Sequence, residues 1–207
     1  MQKKIYLLLI ILTSSILSLG QKSNSSASWI SFYAGDLAVL SENFTDYYNS
    51  KNELTYGIGI GIPLSRSLAF DASVSYFQKS SNYVSFVDQT SIESTILKQV
   101  IFNAGLQIQL LPNRIIGLSF LVGVNYAIVD EERKSADGAF VYQLEGEGNF
   151  GVYGGANLEL SLGRGPVAIF GDAKYTYSWN PILEFDASYR ELKYSAGIKL
   201  YLSSRWK

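Results

Sequence analysis

Three glycines at alternate positions, Gly57, Gly59 and Gly61, have the spacing closest to that of a phosphate-binding loop. A dinucleotide-binding loop needs Gly-x-Gly-x-x-Gly between a strand and a helix, so that backbone N–H groups face the pyrophosphate. The third glycine is replaced by Ile62, and Pro63 follows it. The strict period of two is that of a β-strand. We therefore expect a strand whose glycine face turns inward and whose isoleucine face turns outward.

Groups suited to acid–base or nucleophilic catalysis are scarce, because the chain contains neither histidine nor cysteine. Histidine is the side chain whose ordinary pKa suits proton transfer near neutral pH. Two carboxylate groupings remain: Glu145 with Glu147 on one strand face, and the run 130–132 (Asp-Glu-Glu) in a predicted loop. Both are interpreted as solvated charges, and neither has the ligand spacing of an EF-hand. The sequence predicts no catalytic residue, no cofactor and no metal site.

The N-terminal segment has the features of a secretory signal. A charged start, Lys3-Lys4, precedes a short apolar run over 5–12, and small residues end the segment at Gly20. The run is shorter than the roughly 20 residues of a membrane-spanning helix. We expect cleavage after Gly20, which leaves residues 21–207 as one domain. With 17 basic and 18 acidic residues, the chain lacks the basic excess of a nucleic-acid-binding protein.

The rest of the sequence is a series of strand-like stretches, because apolar residues alternate with polar or small ones between turn residues. Eight stretches are predicted, at 29–40, 54–63, 67–78, 93–111, 115–130, 141–162, 167–178 and 191–203. Three connections are short and contain a proline, whereas those at 41–53, 79–92, 131–140 and 179–190 are longer and more polar. An even strand number with short turns on one side and long loops on the other is typical of an outer-membrane barrel.

The alternation also predicts which face of each strand meets lipid. In the fifth stretch the outward face carries Phe120, Val122 and Val124, and the inward face carries Ser119 and Asn125. In the first stretch the alternation is weak, and the inward face is assigned from Asp36 alone. Asp36 or Asp71 is expected to fill the space beside the glycines. Aromatic residues near strand ends are interpreted as interfacial girdles; they are Trp29, Tyr56, Tyr76, Tyr126, Tyr177, Trp179 and Trp206.

The last strand has the polar-x-Gly-x-x-apolar-x-apolar pattern of a barrel-assembly signal, carried by Ser195, Gly197, Leu200 and Leu202. On this pattern and the strand layout, the chain resembles the small OmpA/OmpX-like outer-membrane β-barrel family. The resemblance implies an all-β fold, an eight-stranded antiparallel up-and-down transmembrane β-barrel. It also implies a periplasmic location for the termini and short turns, extracellular long loops, and the barrel-assembly machinery as a partner during biogenesis.

Charged residues on the inward faces are the most informative polar groups. They are Asp71, Glu159, Asp172, Lys174 and Lys199. Because unpaired buried charge is costly, we expect them to form a hydrogen-bonded ionic plug. A gated ion path is the alternative, although eight strands leave an interior that side chains can fill.

The expected function is that of a non-enzymatic outer-membrane barrel, either a structural or adhesive surface protein or an accessory subunit of an envelope complex. A narrow channel or small-solute transporter is one alternative, and a soluble periplasmic lipid-binding barrel is another. Outer-membrane lipid and other envelope proteins are the expected partners, and nucleic acid is not. Loop aromatics are candidate contacts with a partner; they are Tyr47, Tyr48, Phe185 and Tyr189.

Overall fold

A computed structural model describes residues 27–40, 52–81, 85–87, 90–110, 115–135, 140–162, 166–179 and 189–202. The predicted signal peptide lies outside these ranges and stays a prediction, as does the girdle position of Trp206. Within the described ranges, no helix has the length and hydropathy needed to span a membrane.

The described residues form nine antiparallel strands. They are β1 Trp29–Val39, β2 Asn52–Pro63, β3 Leu68–Ser81, β4 Ser85–Val87, β5 Thr90–Gln109, β6 Ile116–Ser135, β7 Phe140–Ser161, β8 Val167–Ser178 and β9 Tyr189–Tyr201. Eight of them close a barrel, since β1 pairs with β9 and β3 pairs with β5. The three-residue strand β4 extends this sheet by pairing with the start of β5. The predicted eight-stranded up-and-down barrel is confirmed.

The strands are strongly tilted in the barrel wall. Following the residue opposite Trp29 across each successive strand pair leads back to β1 at Val39, ten residues further along. A stagger of this size in eight strands corresponds to a tilt of roughly 40° from the barrel axis. The end at Pro63 and Leu68, where residues 64–67 join β2 to β3, is here named the short-turn end. The opposite end is the long-connection end.

Two predicted loops are largely strand. β3 continues to Ser81 and β5 begins at Thr90, while β6 continues to Ser135 and β7 begins at Phe140. The predicted loops at 79–92 and 131–140 were therefore too long. Apolar alternation ends before the strands do, because backbone pairing between neighbouring strands does not need an apolar outer face to continue.

The wall has an apolar outer face and a mostly polar inner face. Val122 is 51% exposed at the outer surface, whereas its neighbour on the other face, Leu121, is buried. Phe120 and Val124 are exposed like Val122, and Ser119 and Asn125 are buried inside. The outward and inward faces predicted for this strand are the observed ones.

The assignment of β1 was wrong. Trp29 is 3% exposed and Tyr33 is also buried, because the odd-numbered residues of β1 face inward. Asp36 lies on the outer face, where its carboxylate accepts a hydrogen bond from the Asn52 side-chain amide at 2.7 Å. Trp29 is therefore an interior residue and not a member of the girdle.

The glycine face of β2 explains why the aromatic residues of β1 fit inside. A Cβ atom built at Gly61 would overlap the Trp29 ring, and one at Gly57 would lie 2.5 Å from the Tyr33 hydroxyl. At Gly59 the nearest atom is the Ser31 hydroxyl oxygen, 2.6 Å away. Side chains of β1 therefore occupy the space that was expected to hold Asp36 or Asp71.

Replacing Gly61 with leucine should impair barrel assembly, because the new side chain and the Trp29 ring need the same space. Overpacking of this kind costs about 1–3 kcal/mol or more. Gly171 is the matched control, since a Cβ built there has no neighbouring atom closer than 3.7 Å. Heat-modifiable gel mobility should show a smaller folded fraction for Gly61→Leu and a wild-type fraction for Gly171→Leu. Equal folded fractions for the two variants would refute this packing role.

Candidate functional site

An ion pair joins β9 to β7 inside the barrel, near the short-turn end. The Lys199 ammonium lies 3.0 Å from a carboxylate oxygen of Glu159, and it also donates to the Asn157 side-chain oxygen at 3.3 Å. The Tyr201 hydroxyl donates to the other Glu159 oxygen. Ala168 of β8 is the cross-strand partner of Lys199. This small residue lies on the strand between β7 and β9, and the cross-strand partner of Glu159 on the same strand is Phe170.

A second ion pair lies further along the barrel. Asp172 and Lys174 are two residues apart on β8, so both face inward, and their charged atoms are 3.6 Å apart. The Ser195 hydroxyl donates to Asp172. Asp71, which is also buried, lines the same small cavity as Asp172, Lys174 and Lys199. Asp71, Glu159, Asp172, Lys174 and Lys199 are named the charged layer below.

Aromatic rings support the lysines of this region. The Lys199 ammonium lies 5.1 Å from the ring centres of both Trp29 and Phe170, and Lys174 lies 5.6 Å from that of Tyr153. A cation over an aromatic face within about 6 Å is attracted by the negative charge of that face. Each lysine of the charged layer thus has both a carboxylate and an aromatic partner.

The interior cavity beside these residues has a volume of about 20 Å³. A cavity of this size holds about one water molecule. It does not hold an organic substrate. Among the described residues, no group of three or more His, Asp or Glu side chains is arranged to hold a metal ion. The charged layer can therefore neutralise charge and fill space.

Comparison of the whole chain with solved structures identifies the fold. Neisserial surface protein A matches with 13% identity over 86% of this chain and 98% of its own, at a TM-score of 0.52. Ail of Yersinia pestis, solved with the heparin analogue sucrose octasulfate, matches with 16% identity over 85% and 99%, also at 0.52. The outer membrane protein OprG of Pseudomonas aeruginosa matches with 10% identity over 86% and 97%, again at 0.52.

The chain has the fold of the small eight-stranded outer-membrane β-barrels. No family model matches the sequence. No curated protein matches it either. At identities of 10–16% the likeness extends to the fold of the barrel and not to the roles of individual residues.

Several interior charges of the barrel were not predicted. Lys193 lies 4.8 Å from the Tyr33 ring centre, and it shares the inward parity of Ser195 and Lys199, which could have revealed it. Towards the long-connection end, Lys79 forms a 2.8 Å ion pair with Glu53. Lys79 and Glu53 lie outside the stretches of apolar alternation from which the strands were predicted.

The acidic run at 130–132 lies on a strand and not in a loop, and its interpretation as solvated charges was wrong for Glu131, whereas Asp130 is exposed. All three residues lie on β6, and Glu131 is 0% exposed, with Arg133 at 3.0 Å. Asp130 accepts a hydrogen bond from the backbone N–H of Gly146 at 2.7 Å. Glu132, on the outer face, lies 3.6 Å from Lys134. The other carboxylate grouping is Glu145 and Glu147. For these two residues the structure describes only the backbone, which lies in β7.

The remaining predicted residues are placed as follows. In the proposed assembly signal, Ser195 and Gly197 face inward, and Leu200 and Leu202 face outward. Their role in assembly stays a prediction. Tyr47, Tyr48 and Phe185 lie outside the described residues, and Tyr189 begins β9 without a described side chain.

Removing one partner of the Lys199–Glu159 pair should destabilise the barrel by about 3–5 kcal/mol, because an uncompensated charge would remain buried. The double variant Lys199→Met/Glu159→Gln should lose less than the sum of the single losses. The measurement is a double-mutant cycle of denaturant unfolding in lipid vesicles.

The side chains of Lys199 and Glu159 are 4% and 10% exposed, whereas those of Lys134 and Glu132 are 35% and 31% exposed. The latter pair is the control, with an expected coupling of about 0–1 kcal/mol. Equal coupling in both cycles would contradict a buried pair.

Proposed function

We propose that the chain is a non-enzymatic integral protein of the cell outer membrane. The observation that carries the proposal is the continuous outward face of large apolar side chains. Its members include Phe120, Val122, Val124, Phe150, Leu158 and Ile169. Soluble monomers rarely expose apolar patches of more than a few hundred Å², and a band around the whole barrel exceeds that. Lipid would cover it.

The inner face argues against a soluble lipid-binding barrel. A barrel that binds a lipid inside needs an apolar cavity. Here the interior near the short-turn end carries the charged layer, and its cavity holds about one water molecule. A lipid chain has no room in that part of the interior.

The aromatic residues at the long-connection end support a membrane boundary there. Tyr56 and Tyr76 are cross-strand partners with ring centres 5.6 Å apart, and the rings of Tyr126 and Phe150 are 4.6 Å apart. Tyr177 and Trp179 form a further contact at 6.0 Å. Such amphipathic rings are enriched where lipid meets water.

We propose that the short-turn end and the termini lie in the periplasm and that the long-connection end lies outside the cell.

We propose a surface role, structural or adhesive, or that of an accessory subunit. The extension of β5, β6 and β7 beyond the aromatic residues supports it, because a paired sheet outside the membrane gives a partner a rigid surface. Proposed partners are outer-membrane lipid, the barrel-assembly machinery during biogenesis and other envelope proteins. Isolation from detergent-solubilised membranes separates the two roles, since an accessory subunit co-purifies with a stable complex.

Arginine in place of Val122 should destabilise the membrane-embedded barrel by about 2–4 kcal/mol, because the charge would lie in the apolar band. Ser80, which also faces outward but lies beyond Tyr76 on β3, is the control. Ser80→Arg should cost about 0–1 kcal/mol. The stability of the two variants is measured by unfolding in lipid vesicles. The location of the wild type is measured by cell fractionation. Recovery of the wild type in the soluble fraction would refute the proposal.

Cysteine labelling should reveal the orientation, and the chain has no natural cysteine to interfere. Ser65 lies in the short turn and Ser80 lies near the long-connection end, and both are exposed. A membrane-impermeant maleimide should label Ser80→Cys on intact cells, and should label Ser65→Cys only after the outer membrane is permeabilised. The reverse pattern would invert the proposed orientation.

A further inference from the structure

Lys199 lies against a side-chain amide as well as against a carboxylate. Its ammonium donates to the Asn157 side-chain oxygen at 3.3 Å and to an oxygen of Glu159 at 3.0 Å. Asn157 and Glu159 are two residues apart on β7, so both project into the interior. The amide carbon of Asn157 is therefore one bond away from an atom that the ammonium contacts.

The amine, the amide and the carboxylate are enclosed by protein. Lys199 and Asn157 are each 3% exposed, and Glu159 is 8% exposed. The ring centres of Trp29 and Phe170 lie 5.1 Å from the Lys199 ammonium. Such an enclosure holds the amine beside the amide and leaves little water to compete as a nucleophile.

Glu159 is placed to accept a proton from Lys199. An ammonium becomes a nucleophile only after it loses a proton, and the Glu159 carboxylate lies within hydrogen-bond reach of that proton. The transfer converts the ion pair into an uncharged amine and a carboxylic acid, which costs less in a buried site than in water. The Tyr201 hydroxyl donates to the other Glu159 oxygen and so helps to orient the carboxyl group.

We propose that Lys199 and Asn157 become joined by an isopeptide bond, with Glu159 as the proton-transfer group. The uncharged Lys199 nitrogen forms a bond to Cγ of Asn157, and the bond from Cγ to the amide nitrogen breaks. Glu159 passes a proton from the attacking nitrogen to the leaving nitrogen, which departs as ammonia. Ammonia then takes up the proton that Glu159 first removed, so the products are one amide and one ammonium ion.

The small interior cavity provides space for the leaving group. It is lined by both Asn157 and Lys199, and its volume of about 20 Å³ accommodates one molecule of the size of water, which ammonia resembles. The new bond connects β7 to β9 across β8, two strands that are not neighbours in the sheet. This cross-link goes beyond the proposed outer-membrane role and does not depend on it.

Peptide mapping of the folded wild type tests the proposal. Trypsin releases residues 135–164, 194–199 and 200–205 as separate peptides from an unmodified chain. The isopeptide bond blocks cleavage after Lys199, so residues 135–164 should be joined to residues 194–205, with a loss of about 17 Da for the departed ammonia. A chain purified in denaturant without folding should give the separate peptides, and the joined product should appear after refolding. Mapping is needed because Gln21, at the predicted mature N-terminus, loses the same mass when it cyclises.

Three variants remove the reacting groups one at a time. Asn157→Ser removes the amide, Lys199→Met removes the amine, and Glu159→Gln removes the proton acceptor, so each should give no joined product. Asn103→Ser is the matched control, because Asn103 is also a buried inward amide but donates to the Ser73 hydroxyl. It should keep the joined product. Heat-modifiable gel mobility identifies the folded fraction of each variant.

The joined product from the folded wild type and from Asn103→Ser, with none from the three site variants, supports the proposal. Separate peptides alone from the folded wild type overturn it. Joined product from folded Glu159→Gln overturns the role of Glu159, and joined product from Asn157→Ser overturns the assignment of the amide. If a site variant does not fold, the comparison of the wild type before and after folding decides the outcome.

Discussion

Closure of the backbone hydrogen-bond network is the constraint on which the other features of this barrel depend. In hydrocarbon no water is available to satisfy backbone N–H and C=O groups, so a sheet that spans it must have no free edge. The pairing of β1 with β9 removes the last edge. With eight strands and a stagger of ten residues, the radius is fixed, and so is the volume that inward side chains must fill.

The interior is filled by complementary sizes on neighbouring strands. Glycines of β2 make space for Trp29 and Tyr33, and Gly105 and Gly123 make space for the ring of Tyr153. The large rings then provide surfaces for the lysines of the charged layer. Size on one strand and charge on another are therefore parts of one packing arrangement, which explains why a glycine-rich strand lies beside the most aromatic inward face.

Much of this arrangement could be predicted from sequence, because a wall that is apolar on one face and mostly polar on the other has a period of two along each strand. The faces of β6 and the inward positions of Asp71, Glu159 and Lys199 follow from that period. Trp29 could not be placed in this way, because its position depends on Gly61, which is distant in sequence. Asp36 was misleading because its outward carboxylate bonds to Asn52 at the polar end of β2. Glu131 was missed because apolar alternation had already ended before it.

The pairing of β1 with β9, the seam that closes the barrel, has a consequence for the order of folding. Trp29 pairs with Tyr201, so the contacts that complete the ring join the two most distant parts of the described chain. Bringing such distant segments together is slow, because the loss of chain entropy precedes the gain from pairing. Until the seam forms, both of its strands have unpaired edges that invite aggregation. The barrel therefore completes its fold only after the last strand has arrived, and until then the edges of β1 and β9 are open to pairing with other chains.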